Sequence, residues 1–222
     1  PCCNTQIRKG HYILSIISTV GTSVFGRPGT TLNEAVRDFA KQNTPNIEVD
    51  ILTKPSFQGY ELYQQALSDL RAKTTTAFLR DACAELNAIE GIHLEHNSHK
   101  NHEYHFLSSQ TTSGSLAARV LADFCREKYP ATKSRAYRVE GLQVENERNF
   151  RIKGLPNLVQ RVYELLDEAK TAQLAAVITP TGRFKAAIPY LTLVGMLRQA
   201  EGVSVSCIHE SSKNLISLAG LP

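Results

Sequence analysis

Apolar positions along this chain follow two rhythms: short continuous runs, and longer stretches with a step of three or four residues. Residues 12–19 read YILSIIST, a run rich in β-branched side chains that predicts a buried strand, followed by Gly21-Thr22-Ser23 and a loop with Gly26, Pro28 and Gly29. Residues 31–42 place Leu32, Ala35, Val36, Phe39 and Ala40 on one face, with Thr30 or Thr31 as N-cap and Glu34 as its capping-box partner, so a helix follows the turn. IEVDIL at 47–52 predicts a second strand, kept short by a proline on each side. From 59 to 89, Leu62, Ala66, Leu70, Ala77, Leu79, Cys83, Leu86 and Ile89 keep a helical step, which the run Thr74-Thr75-Thr76 splits into two helices.

The second half is more regular. It predicts a strand at 104–108, a helix at 113–128, a strand at 136–142 and a helix at 155–172 with Pro156 in its first turn. A strand at 174–178, a helix at 184–199 and a final strand at 203–208 complete the series. Strands that alternate with helices of this length predict an α/β fold, a doubly wound, mostly parallel Rossmann-like sheet with helices on both faces. One domain spans 1–222: a strand-loop-helix-strand part at about 11–55, a helical insertion and His-rich loop at 56–102, and the regular α/β part at 103–222.

Between the halves lies GIHLEHNSHKNHEYH, where His93, His96, His99, His102 and His105 recur every third residue. A three-residue step drifts around a helix, and Gly91, Asn97, Ser98 and Asn101 mark a solvated connector, so the tract reads as a polar loop and no metal is assigned to it.

Composition narrows the class without deciding it. The 42% hydrophobic content of 222 residues suits one globular core. The most apolar stretch, 186–197, soon meets Arg198 and Gln199 and is too short to span a membrane, so no membrane partner is expected within this chain. Five irregularly spaced cysteines (Cys2, Cys3, Cys83, Cys125, Cys207) and the lack of a secretory pattern point to a reducing cytoplasm. A formal charge of +4 leans toward an anionic partner and falls far short of a polybasic nucleic-acid coat.

In open α/β sheets ligands gather at the carboxyl ends of the strands. Three turns there share one chemistry: Gly21-Thr22-Ser23, then Ser109-Gln110-Thr111-Thr112-Ser113-Gly114, then Thr179-Pro180-Thr181-Gly182-Arg183-Phe184-Lys185. Small hydroxyl residues and glycine let backbone N–H groups approach an anion at the positive end of the next helix, so phosphate is the natural ligand. Arg183 and Lys185 add cations at a helix start, where only an anion offsets them. Neither a Walker loop, nor G-x-G-x-x-G, nor G-x-S-x-G is present, which leaves a phosphate ester bound without a Walker lysine and no cofactor.

These residues resemble the CRISPR-associated Rossmann-fold (CARF) family, in particular its ring nucleases and the sensor halves of adenylate-activated effectors. The resemblance rests on Ile17-Ser18-Thr19-Val20-Gly21-Thr22-Ser23, on residues 109–114, and on Val139-Glu140-Gly141-Leu142. It continues through residues 181–190 and Ile208-His209-Glu210-Ser211-Ser212 to Leu221-Pro222, nearly the whole chain. It implies a homodimer that presents each turn twice around a cyclic oligoadenylate, most simply cyclic tetra-adenylate. Thr22 and Ser23 would touch the phosphodiester, the loop from Gln110 and Thr111 to Gly114 would cradle adenine or ribose, and Lys185 would face the ring. Gly21, Thr181, Gly182, Arg183 and Phe184 would complete the ligand turns. Where the ring is cleaved, its own 2′-hydroxyl attacks phosphorus without a metal, Ser23 orients the nucleophile and Lys185 stabilises the phosphorane or leaving oxygen. The sequence departs from the family at Arg183, where a second glycine is usual, and at Gln110 and Ser113, where acidic residues are common.

Two functions compete on this reading. One is a ring nuclease that removes the messenger. The other is a non-catalytic sensor whose output domain lies outside this chain, as the closing L-x-x-L-P at 218–222 suggests. A duplex-DNA regulator lacks its basic recognition helix, and a metal enzyme rests on the histidine tract alone.

Overall fold

A computed structural model describes residues 13–26, 29–42, 52–96, 101–129, 133–143, 146–181, 185–209 and 214–219. Its strands are β1 (Leu14–Thr19), β2 (Glu103–Ser108), β3 (Lys133–Arg138), β4 (Ala175–Thr179), β5 (Val203–Ile208) and β6 (Leu215–Ala219). They form one sheet in the order β3-β2-β1-β4-β5-β6, parallel except for the antiparallel β5–β6 pair. β1 is buried along its whole length, which accounts for a sequence of apolar and small hydroxyl residues without a charge. The α/β doubly wound expectation holds.

Helices cover both faces. On one lie α1 (Thr31–Gln42), α2 (Tyr60–Arg71), α3 (Thr76–Ala82), α4 (Ala84–His96) and α5 (Thr112–Lys128), over a core of Leu14, Ile16, Leu86, Ile89, Phe106 and Leu121. On the other lie α6 (Glu147–Asn149), α7 (Leu155–Thr171) and α8 (Ile188–Leu197), over Ile17, Leu107, Leu158, Val162, Ile178 and Leu191. The alternation of β1 and β2 decides the partition: Ile16, Tyr104 and Phe106 face the first core, Ile17 and Leu107 the second.

Several elements differ from the sequence reading. The break at Thr74–Thr76 is present, with Thr75 Oγ1 accepting from Phe78 N–H, but extended backbone at Cys83 cuts the pattern again and yields three helices. Thr30 Oγ1 donates to Phe25 O and thereby ties the turn after β1 to the start of α1. The expected strand at 47–52 falls almost entirely outside the described residues, and Leu52 itself is buried in a turn.

The strand expected at 136–142 begins three residues earlier. β3 is an edge strand whose Lys133 and Arg135 sit at the solvated rim, while Val139 and Leu142 are buried under a turn that Gly141 closes at φ +75°. Upstream of Leu155 the backbone is already helical: α6 runs into a wide π turn at Phe150–Gly154, which joins α7 directly. The helix expected from 184 is instead a 3₁₀ turn at Lys185–Ala187 leading into α8, and β6 was not expected at all.

Where it is described, the histidine tract is helical up to an exposed His96 and is not one solvated loop. Residues 91–96 continue α4, and His93, His102 and His105 are all buried. His93 Nε2 lies 3.0 Å from Tyr104 Oη, and His102 Nδ1 accepts from Leu14 N–H at 3.1 Å. Each ring is thus held by a hydrogen bond, as buried polar groups require. His99 lies outside the described residues.

Candidate functional site

The turn after β1 forms around a carboxylate that the sequence reading did not single out. Gly21 is buried, Thr22 half-buried, and Ser23 exposed at the start of a 3₁₀ turn, Ser23–Phe25, anchored by buried Val24 and Phe25. Beneath it, Glu85 in the first turn of α4 is fully buried. Gly21 N–H donates to Glu85 Oε1 at 2.8 Å, and Ser23 Oγ donates to Oε2 at 3.4 Å. The backbone donor assigned to an incoming anion is therefore already answered from within.

The turn after β2 is tied to the turn after β3 through Gln110. Gly141 N–H donates to Gln110 Oε1 at 2.7 Å, Gln110 N–H donates to Leu142 O, and Gln143 Nε2 donates to Gln110 O. Gln110 is thus a strut between two ligand-edge turns. Thr111 caps α5 by accepting from Gly114 N–H at 3.1 Å, a contact worth about 1 kcal/mol, and its Oγ1 lies 2.8 Å from Ser109 Oγ. A Cβ on Gly114 would lie 2.2 Å from Ser109 Oγ, so the glycine lets the hydroxyl and the helix start share one space.

After β4, hydroxyls join the strands. Ser18 Oγ pairs with Thr179 Oγ1, Thr19 Oγ1 donates to Thr181 O, and Thr181 Oγ1 donates to Thr19 O at 2.6 Å. All four side chains are buried, so the Thr181 hydroxyl fixes the edge and does not project from it. Lys185 is exposed in the 3₁₀ turn ahead of α8. Gly182, Arg183 and Phe184 lie outside the described residues.

Because β2, β1 and β4 are adjacent and parallel, the three turns emerge at one end of the sheet. The chain leaves β1 toward β2 on one side and later returns to β4 on the other, so the strand order reverses between β1 and β4, at the mouth where such folds bind ligands. Ser23 and Lys185 are exposed there, with Thr22 and Thr111 half-buried beside them. The arrangement offers hydroxyl donors, helix starts and the Lys185 ammonium group to an anionic ligand, with a buried carboxylate behind Ser23. Among the described residues no group of three or more His, Cys, Asp or Glu side chains is placed to hold a metal ion, and no helix is long and apolar enough to cross a membrane.

No curated protein matches the chain. The family model described as CRISPR-associated protein (Cas_APE2256) matches residues 80–221. The matched stretch contains Glu85, the Gln110 strut and the turn from Thr181 to Lys185, and it begins after the β1 turn. Since it covers well over half of the sequence and every strand from β2 to β6, this chain belongs to that family of CRISPR-associated proteins.

Proposed function

We propose that the chain binds a cyclic oligoadenylate, cyclic tetra-adenylate being the first candidate, between two copies of itself and opens the ring. The observation that carries this reading is the convergence of the β1, β2 and β4 turns at the point where the strand order reverses. A twofold axis beside that edge doubles the turns, which suits a ligand that is itself a ring of repeated phosphodiesters. Membership of a CRISPR-associated family and the resemblance to CARF sensors support the same ligand.

Association of two copies is supported by α8, which follows the β4 turn directly. Leu191, Val194 and Gly195 face the sheet, yet Tyr190, Leu193, Met196 and Leu197 are exposed, beside Ile216 and Leu218 of β6. A contiguous apolar face of this kind marks an interface more often than a solvated surface.

In the cleavage step a ribose 2′-oxygen attacks the adjacent phosphorus and the bond from phosphorus to the 5′-oxygen breaks. The products carry a 2′,3′-cyclic phosphate and a 5′-hydroxyl. Ser23 orients the 2′-hydroxyl, and Lys185 stabilises charge on the phosphorane or the departing oxygen. Gly21 and Thr181 shape the mouth, Thr22 and Thr111 supply neighbouring polar contacts, and the Gly182-Arg183-Phe184 segment is assigned to ring binding.

The test is retention of adenylate rings of three to six units by the purified chain, with mass analysis of the bound and released species. One cyclic tetra-adenylate per two chains and a linear cyclic-phosphate product are expected. Retention without linear product assigns the sensor function instead, and retention of no ring overturns the reading.

A further inference from the structure

Glu85 is set beneath the turn after β1 by two hydrogen-bond donors of that turn. Its side chain is fully buried in the first turn of α4, and its oxygens accept from Gly21 N–H at 2.8 Å and from Ser23 Oγ at 3.4 Å. Its titratable neighbour is Cys83, at the extended junction between α3 and α4. That thiol is pushed up by burial first and by the Glu85 charge next, and it hydrogen-bonds to the same carboxylate. A carboxyl group taken out of water and met by a backbone N–H and a serine hydroxyl is costly to bury, so such a group is a candidate for chemistry.

The position is specific. Ser23 is exposed at the mouth, and Glu85 lies buried on its inner side. A carboxylate in contact with the ring would repel its phosphates. One behind a serine hydroxyl is separated from the phosphates by that hydroxyl. Ser23 alone is a poor base, and a carboxylate on its far side supplies what it lacks. A hydrogen bond of 3.4 Å is long, as such contacts commonly are before substrate tightens them.

We infer that Glu85 is a positioning residue that holds Ser23 and takes up its proton as the ring opens, an inference that rests on the ring-cleavage reading. The 2′-hydroxyl gives its proton to Ser23 Oγ while Ser23 gives its own to Glu85 Oε2. The bond from the 2′-oxygen to phosphorus forms, the bond from phosphorus to the 5′-oxygen breaks, and that oxygen takes a proton from water or from Lys185. Glu85 then returns its proton through Ser23 to solvent, and Lys185, where it was the donor, regains one from solvent, so the protein ends unchanged.

The experiment measures binding and single-turnover cleavage of cyclic tetra-adenylate separately, for the wild-type chain, Glu85→Gln, Ser23→Ala and the double variant. Glu85→Gln keeps an acceptor for Gly21 N–H and is expected to hold the ring within ~3-fold of wild type while cleaving it at least ~100-fold more slowly. The double variant is expected to cleave no more slowly than Ser23→Ala within ~2-fold, because both changes interrupt one path. Cleavage by Glu85→Gln at the wild-type rate overturns the inference, as does a parallel loss of binding and cleavage, which marks a structural prop. Should Glu85→Gln fail to fold, Ser23→Ala decides: wild-type cleavage by it overturns the inference, and a ~100-fold loss with binding intact supports it. Wild-type chain that retains the ring without opening it removes the proton path and leaves ring binding standing, whereas failure to retain any ring removes the functional reading as well.

Discussion

His105 shows how one side chain links pH to the stability of the sheet. It lies on β2, with Nδ1 3.2 Å from Tyr137 Oη and Nε2 3.4 Å from Glu103 Oε2. Burial first, and the Lys133 charge after it, push the imidazole from 6.5 down to about 4. The unfolded chain takes up this proton near 6.5 and the folded chain only near 4, so between those values the unfolded state binds more protons. The contribution is fully present above the upper value and is lost as pH falls toward the lower one, by up to ~3 kcal/mol. Urea midpoints at pH 7 and pH 5 are expected to fall further for wild type than for His105→Gln. Equal falls would show that another group carries the dependence. This burial was hidden in the sequence, where five histidines at a three-residue step look like one solvated tract. Glu85 was hidden similarly: a glutamate inside a helical pattern reads as solvent-facing, and only the tertiary fold brings it under Gly21 and Ser23. That Gly21, Ser23 and Thr111 lie in turns at strand ends was legible because turn chemistry is local, whereas the inward use of Gly21, Thr181 and Gln110 depends on partners many residues away.

At the scale of elements, the joint between β3 and α7 is governed by two glycines in backbone contact. A Cβ on Gly154 would lie 2.3 Å from Gly141 O and 2.6 Å from its carbonyl carbon, with Leu142 Cα close behind. Backbone cannot move aside as a flexible side chain does, and Gly141 is already tied to Gln110. Helix propensity alone says that Gly154→Ala stabilises by up to ~1 kcal/mol, since alanine is the better helix former. The clash is the larger effect, and a net loss of ~2 kcal/mol is expected, read as a lower urea midpoint with unchanged slope. A gain in stability would show that the π turn at Phe150–Gly154 yields easily. Neither this turn nor its upstream helix showed in the sequence, because Arg148, Arg151 and Lys153 are exposed and supply no apolar period. β3 and β6 were misplaced or missed for a related reason. Edge strands face solvent, so the alternation that reveals a strand is replaced by charge in β3 and by exposed apolar residues in β6. The central strands had no such ambiguity, because β1 and β4 are buried on both faces and read as uncharged runs of apolar and small hydroxyl residues.

For the whole molecule, the strand order explains why separate turns form one mouth. β1 lies in the middle of the sheet with β2 and β4 on either side, so residues far apart in sequence, Ser23, Thr111 and Lys185, leave the same edge. The alternation of strands and helices made this parallel arrangement legible, since such crossovers nearly always share one hand. What alternation cannot specify is which outer face meets another chain. α8 supplies that information: its buried residues Leu191 and Val194 fix it to the sheet, and its outer residues are as apolar as its inner ones. Under the proposed reading, Leu197, the most exposed of them at 66%, lies between two copies. Leu197→Glu leaves the inner face untouched, so the far-ultraviolet spectrum should stay that of the folded chain. It would bring two carboxylates together without a partner across the twofold axis, which opposes association. Light scattering is expected to give the mass of one chain in place of two, and retention of cyclic tetra-adenylate to fall by more than ~10-fold, because each copy then offers half of the cradle. A variant that stays dimeric and holds the ring as before would place the interface elsewhere, whereas a monomer that holds the ring undiminished would show that one set of turns is enough.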